Sequence, residues 1–412
     1  MPFYSTPGVY VLELPGPKII TPRPSSVVGF VGQAPSAGAH LGEAVAVNNW
    51  SQFRTEFAPS DEVPSTWLSH AVNGFFQNGG SRCFIVNLPD SEAIAGNDRP
   101  RSGLKLLDEI DEIAIVVAPG RTDPVSYTAM ISHCELHGDR VCICDAQNVT
   151  NTELLKTVGT VAVGGKPKPG DKTDDAGSED VGAKATGGVR PPTSINGYGA
   201  LYFPWIYVND AINTKGSQPP VAVPPSGHMA GIWARMDRTR GVHKAPANAS
   251  VAGAVNLTYR VTDAEQGDLN SHGVNCIRYF SNDGILVWGA RTLADESSEW
   301  RYLNVRRLAI MIKESIKRSA SWAVFEPNDR TLWKTLRSEV TGFLRNVYAD
   351  GALMGATAEE AFFVKCDEET NPPESIDLGQ VVTVIGIAPV KPAEFIIFKI
   401  GQNAGGAEAK AL

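Results

Sequence analysis

The chain has 412 residues, 42% apolar and 20% charged, enough for two or three domains of about 100–200 residues each with real cores. A formal net charge of -8 excludes a general nucleic-acid binder, which needs surplus Lys and Arg to neutralise phosphate. No run of roughly 18 apolar residues could span a membrane, and the start Met1-Pro2-Phe3-Tyr4-Ser5 lacks the basic head and apolar stretch of a secretory signal, so folding in the cytoplasm is expected.

GVYVLEL (8–14) is rich in β-formers and reads as one strand. Pro15, Pro17, Pro22 and Pro24 follow it within residues 15–26, and proline neither donates to a ladder nor continues a helix, so an extended linker is expected there. A lone strand ahead of such a linker has no local partner, and an isolated strand is not stable in water. From residue 26 an α/β pattern begins. VVGFVG (27–32) is a strand, PSTWLSHAVNGFFQNGG (64–80) is a helix ended by Gly79-Gly80, and SRCFIVNL (81–88) is the next strand. IAIVVAP (113–119), SYTAMISHCELHG (126–138) and RVCICDA (140–146) form a strand–helix–strand unit compatible with parallel neighbours. Residues 164–199 carry almost no large apolar side chain and read as a flexible surface insertion. Globular pattern resumes at ALYFPWIYV (200–208), and a helix is expected after Pro224-Pro225.

In the last third, Val305, Leu308, Ile312 and Ile316 mark one face of a helix over 304–319. WAVFE (322–326) reads as a strand, and a second helix capped by Asn328 or Asp329 carries Leu332, Trp333, Leu336, Val340, Phe343, Leu344 and Val347. EAFFVKC (360–366), VVTVIGI (381–387) and EFIIFKI (394–400) read as three further strands.

Motifs for chemistry are weak. His133, Cys134, His137, Cys142 and Cys144 are close enough in sequence to raise zinc, but a single CxC alternating with Val141 and Ile143 is the pattern of a buried strand and not of paired knuckles, so no metal is expected. Ser226-Gly227-His228 reads as a helix start, without a nucleophile elbow, and no phosphate-cradling loop occurs, so no cofactor is expected. One charged feature stands out: Arg306, Arg307, Lys313, Lys317 and Arg318 share a helix with a single Glu314 on an acidic chain, which makes a docking face for an acidic partner one reading and a solvated face the other.

Long strings in order along the chain carry a resemblance. TPGVYVLELP with SSVVGFVG, GFFQNGGSRCFIV, SGHMAGIWARMDRTRGVHKAPAN (226–248), ILVWGARTL (285–293), WRYLNVRRL (300–308), FEPND (325–329) and IGIAPVKPAEFIIFKIGQ (385–402) are similar to the contractile tail sheath family of phages, R-type pyocins and extracellular contractile injection systems. The stretch 164–199 matches nothing in that family.

The resemblance implies a non-enzymatic subunit that stacks helically around an inner tube and contracts to drive that tube through a target membrane. Its partners are itself, the inner tube protein, and baseplate and tail-terminator proteins, with no nucleic acid and no direct membrane insertion. It is assembled in the bacterial cytoplasm and becomes part of a phage tail or phage-tail-like particle, released or cell-bound. The implied fold is α/β: an arm and linker over 1–26, an outer α/β domain with a mixed sheet over 27–290, and a C-terminal mixed α/β module over 291–412 completed by terminal strands exchanged between subunits. Val9, Tyr10, Val11 and Leu12 at one end, and Phe395, Ile396, Ile397 and Phe398 at the other, are the expected exchanging strands. The four prolines are the expected hinge, and the five cations of 306–318 the expected tube-facing helix. The alternative is a cytoplasmic hydrolase with a subtilisin-like α/β domain.

Overall fold

The computed structural model describes residues 20–60, 63–160, 186–213 and 218–397. Five short apolar runs near the start become strands of one sheet: β1 Val28–Gly32, β2 Ala44–Val47, β3 Cys83–Asn87, β4 Ile115–Val117 and β5 Val141–Asp145. β6 Gly159–Thr160 and β7 Thr186–Gly187 form a small ribbon. β8 Gly199–Phe203 returns to the main sheet, while β9 Ile206–Val208, β10 Val221–Val223 and β12 Ala254–Leu257 form a three-stranded side sheet. β11 Ala249–Ser250, β13 Val274–Phe280 and β14 Gly284–Val287 complete the main sheet in the order β11-β14-β13-β8-β5-β4-β1-β3-β2. The six strands from β13 to β3 are parallel, and antiparallel β2 and β14 flank them.

β1, β3, β4, β5 and β8 are buried along their whole length, which is why their sequences read as continuous apolar runs and not as alternation. Side chains of a strand still alternate between faces. Phe30 meets Phe75 of α2 (Trp67–Gln77), and Tyr202 receives the indole N–H of Trp233 of α4 (Ser226–Arg240) at 3.0 Å, so those two helices cover one face. A Cβ on Gly29 would lie 2.8 Å from Leu107, and one on Gly199 3.5 Å from Ile131 of α3 (Pro124–His137), which therefore sits on the other face. α1 (Trp50–Phe57) and α5 (Asp263–Ser271) pack at the margins.

The C-terminal part is α6 Leu303–Ser319, α7 Arg330–Ala349, the short helices α8 Ala358–Ala361 and α9 Pro373–Asp377, and one antiparallel pair, β15 Phe362–Lys365 with β16 Val384–Ile387. Its core is separate: Leu308, Ile312, Val340, Phe343, Leu344, Val347, Leu353 and Phe362, joined by Ile20 from the other end of the chain. α6 serves both cores, since Leu303 and Ile310 belong to the large one.

Three expectations are corrected. Residues 322–326 are no strand: α6 tightens into a 3-10 turn over Ala320–Ala323, as helix ends commonly do, and residues 324–329 turn onward to α7. Residues 394–397 form no strand within the chain, and 398–400 lie outside the described residues. The insertion does not run to residue 199. Packing resumes at Gly188, and Arg190 is buried, its Nε donating to the carbonyl of His272 at 2.8 Å.

Candidate assembly surfaces

α6 was expected to present five cations outward. Arg306 and Arg307 are instead buried. The Arg306 guanidinium lies 3.5 Å from the ring centroid of Trp300 and 4.7 Å from that of Tyr198, and burial lowers its pKa. Arg307 grips Asp237 of α4 with both terminal nitrogens, at 2.8 and 2.5 Å, and donates to the carbonyl of Ser25 at 3.0 Å. The cause is a second stripe on the helix. Leu303, Arg307, Ile310 and Glu314 recur at spacings of three and four, and all are buried against the large body while Leu308 and Ile312 face the small one. Lys313, Lys317 and Arg318 do reach the surface. Lys313 donates to the carbonyl of Gly138 at 2.5 Å, and Lys317 lies 3.6 Å from Glu314.

The linker is described from Ile20 onward, and there it is pinned. The backbone N–H of Arg23 donates to Ser315 Oγ at 2.9 Å, and its guanidinium donates to the carbonyls of Asp139 at 3.2 Å, Ile113 at 3.0 Å and Asp111. Pro22 and Pro24 thus flank an anchor and do not form the free hinge expected of them. Pro15, Pro17, Val9, Tyr10, Val11, Leu12 and Phe398 lie outside the described residues.

At the other end, β15 and β16 form a sheet of only two strands, with Phe363 and Val384 exposed. The chain then crosses back to the large body, where Glu394 takes a fork from Arg291 at 2.7 and 3.2 Å. Beyond that clamp Phe395, Ile396 and Ile397 are 73, 75 and 80% exposed. Three consecutive large apolar side chains in water are an interaction surface by composition. Arg23, Asp237 and the Arg291–Glu394 clamp escaped the sequence reading. The available signals were an arginine locked between two prolines and a lone acid inside the basic run RMDRTR.

Two polar clusters test the chemical alternatives. At the carboxyl end of β5, buried Asp145 accepts from Ser226 N at 2.8 Å, Ser226 Oγ at 2.6 Å and Gly120 N at 3.1 Å. Desolvation raises its pKa to about 6 against these three donors. Ser226 therefore gives its proton hydrogen bond to a carboxylate at a helix start and not to an imidazole base, and this is a cap, not a nucleophile. His228 is fully buried, its Nδ1 unpartnered and its pKa lowered by burial to about 3. Its ring fits only because residue 74 is glycine, where a Cβ would lie 2.3 Å from it.

The histidines and cysteines of 133–144 part company. Cys142 and Cys144 sit in β5 with their sulfurs 3.9 Å apart, and Cys134 is buried with them. His133 and His137 turn instead toward Asp108, whose Oδ1 lies 3.6 Å from His133 Nδ1 and 3.0 Å from His137 Nε2. Among the described residues this is the set whose ligand atoms converge enough to hold a metal. Arg140 lies 3.5 Å from His133 Nε2, which leaves the ring proton on Nδ1 and sets a positive charge beside the cluster. Both effects favour a hydrogen-bonded clasp over a cation site, and burial holds His133 neutral by lowering its pKa to about 4.

A large α/β body with its polar clusters spent on structure, and a small module with a two-stranded sheet and an exposed apolar segment at 395–397, are what a subunit of an assembly presents. Residues 193–293 match the family described as "Phage tail sheath protein central domain", and 295–403 the "Phage tail sheath C-terminal domain". The chain is 30% identical, with a TM-score of 0.72, to a subunit of the anti-feeding prophage (AFP) helical sheath in its contracted state, over 97% of this chain and 100% of that one. It is 27% identical, with a TM-score of 0.73, to a subunit of the sheath complex of PVC, an extracellular contractile injection system, over 98% and 99% of the two chains. The tail sheath protein of Vibrio phage KVP40 is 29% identical over 177 residues, which is 42% of this chain and 26% of that protein. A putative prophage major tail sheath protein of Pseudomonas aeruginosa is 29% identical over 43% of this chain and 45% of its own length. The matches thus span less than half the length of these curated relatives. The chain belongs to the phage tail sheath family.

Proposed function

We propose that the chain is a structural sheath protomer that polymerises helically around an inner tube and contracts to drive that tube through a target membrane, without a catalytic role. Its partners are further copies of itself, the tube protein, and baseplate and tail-terminator proteins. It assembles in the bacterial cytoplasm into a phage tail or phage-tail-like particle. Residues 27–290 are the outer body and 291–412 the inner module, with α6 as their common wall.

The observation that carries this reading is the two-stranded sheet β15–β16, with Phe363 and Val384 exposed, in a chain whose apolar residues 395–397 pair with nothing among the described residues. A two-stranded sheet is marginal alone, and an open apolar edge accepts a foreign strand. Residues 8–14 of one copy and 395–398 of another add to β15–β16 of a third. Some six backbone hydrogen bonds at about 0.5–1.5 kcal/mol net each give roughly 3–9 kcal/mol per link. That holds rows together while the bodies turn, with Pro15 and Pro17 as the proposed hinge and Arg23 as its fixed end. Deleting residues 1–14 should leave a folded, soluble protomer that forms no hollow cylinders by negative-stain microscopy. A cysteine within 8–14 paired with one within 362–365 should crosslink between chains in extended and contracted sheaths alike. Crosslinks confined to single chains would sink the proposal.

A further inference from the structure

The turn between α6 and α7 holds an aromatic side chain that the isolated protomer does not use. Phe325 is fully exposed, Val324 beside it is exposed, and the φ of Phe325 is +69°. A left-handed backbone is costly for a bulky residue and persists only where surrounding structure enforces it. That enforcement is visible. Trp322 Nε1 donates to Glu339 at 3.2 Å, Asn328 Nδ2 to the carbonyl of Gln380 at 3.0 Å, Trp333 Nε1 to Asn328 at 2.8 Å, and Asp329 caps α7. A rigid, exposed ring of this kind is a preorganised anchor, since little freedom is lost when it is buried by a partner. Glu326 and Asp329, both exposed, make the knob acidic as well as apolar.

A groove of about 730 Å³ that would suit it lies between the strap 22–26, the end of α4 and the end of α7. Half-buried Met311 lines it over the buried side chains of Leu308, Val347 and Ala352, and Arg238 and Arg240 add exposed positive charge. The groove's Asp237 is already consumed by Arg307. Its size is in the usual range for concave sites, roughly 300–1,000 Å³. The knob of the same chain cannot fill it. Met311 lies eight residues before the end of α6 at Ser319, about 12 Å along the axis, and the turn begins only beyond that end.

We propose that Phe325 of one copy seats in this groove on the next copy, with Glu326 against Arg238 and Arg240. Knob and groove are different patches of the same surface, so the contact is heterologous, the kind that propagates as an open helix when its rotation does not close into a ring. The proposal rests on the polymer reading above and adds a second, side-chain contact to the strand exchange.

The test uses the full chain and follows the critical concentration for cylinder formation by sedimentation and negative-stain microscopy. Phe325→Ser should melt as the wild type does yet raise that concentration at least tenfold. Glu326→Arg and Arg240→Glu should each raise it severalfold, and the two together should restore most of the loss, as a direct pair demands. Phe325→Cys combined with Thr239→Cys should give a ladder of crosslinked multimers in assembled cylinders. Wild-type chain that forms no cylinders removes the polymer reading itself. Cylinders from Phe325→Ser at the wild-type concentration, or cylinders without a ladder, remove this contact alone. A crosslink from Thr239→Cys to Val9→Cys would give the groove to the chain's own amino-terminal segment and overturn the proposal.

Discussion

The nine-stranded sheet and the two-stranded one are built from similar residues and end in opposite conditions. In the large sheet β1, β3, β4, β5 and β8 are buried throughout, and helices cover both faces. In the small sheet Phe363 and Val384 face water, and the next apolar segment of the chain is clamped to the other body by Arg291 and Glu394. The large body buries its apolar strands within the protomer. The small one leaves apolar surface exposed at Phe363, Val384 and residues 395–397. In the polymer proposed above, stability and assembly are thereby separated: one region can be tuned for folding without touching the contacts proposed to join copies.

That separation can be broken at the seam. Asp237→Ala leaves the buried Arg307 guanidinium without its carboxylate, and removal of one partner of a buried pair costs about 3–5 kcal/mol. Chemical denaturation should show a loss of that size, and a loss under about 1 kcal/mol would mean that the two bodies are not locked by this pair. Next in size is a pH effect confined to the large body. The pKa of Asp145 is raised to about 6 by burial, above its unfolded value near 3.8, so the folded state holds a proton that the unfolded state has lost. The resulting stability is complete below the unfolded pKa and disappears as pH rises through about 6. The wild type should therefore lose about 2–3 kcal/mol relative to Asp145→Asn between pH 4 and pH 7, by the linkage of 1.36 kcal/mol per unit. Parallel stability–pH curves for the two proteins would contradict it.

Smaller effects sharpen the contrast from the other side. Phe363→Ser alters an exposed position and should shift protomer stability by under about 0.5 kcal/mol while abolishing cylinders. A large fall in protomer stability would show that the small sheet is complete as it stands. Reversing Lys313, Lys317 and Arg318 together should leave the melt unchanged, because exposed pairs are each worth about 0–1 kcal/mol, and should yield sheaths lacking a tube or contracted prematurely. Tube-filled, extended particles from that variant would remove α6 from the tube contact. Least of all, replacing residues 166–182 with a short Gly/Ser linker should change neither melt nor assembly. Extending the replacement through Arg190 should destabilise the protein, because that side chain is buried against the carbonyl of His272.

The sequence alone determined the elements whose signal is local. The strand–helix–strand unit at 113–146 emerged as parallel neighbours β4 and β5 with α3 between them, since buried parallel strands read as short apolar runs whatever surrounds them. α7 was legible from its apolar spacing and its Asp329 cap, and α4 from the two prolines before it. Strings along the whole chain were enough to place it in its family. The tertiary structure decided what depends on which bodies meet. α6 has one apolar stripe in a conventional reading and two in the fold, because it is walled on both sides, and burial made Arg306 a cation stacked on Trp300 and Arg307 the partner of Asp237 where surface charges were expected. Likewise 394–397 has the composition of a strand but pairs with no strand among the described residues, and a strand exists only where a second backbone supplies the other half of its hydrogen bonds.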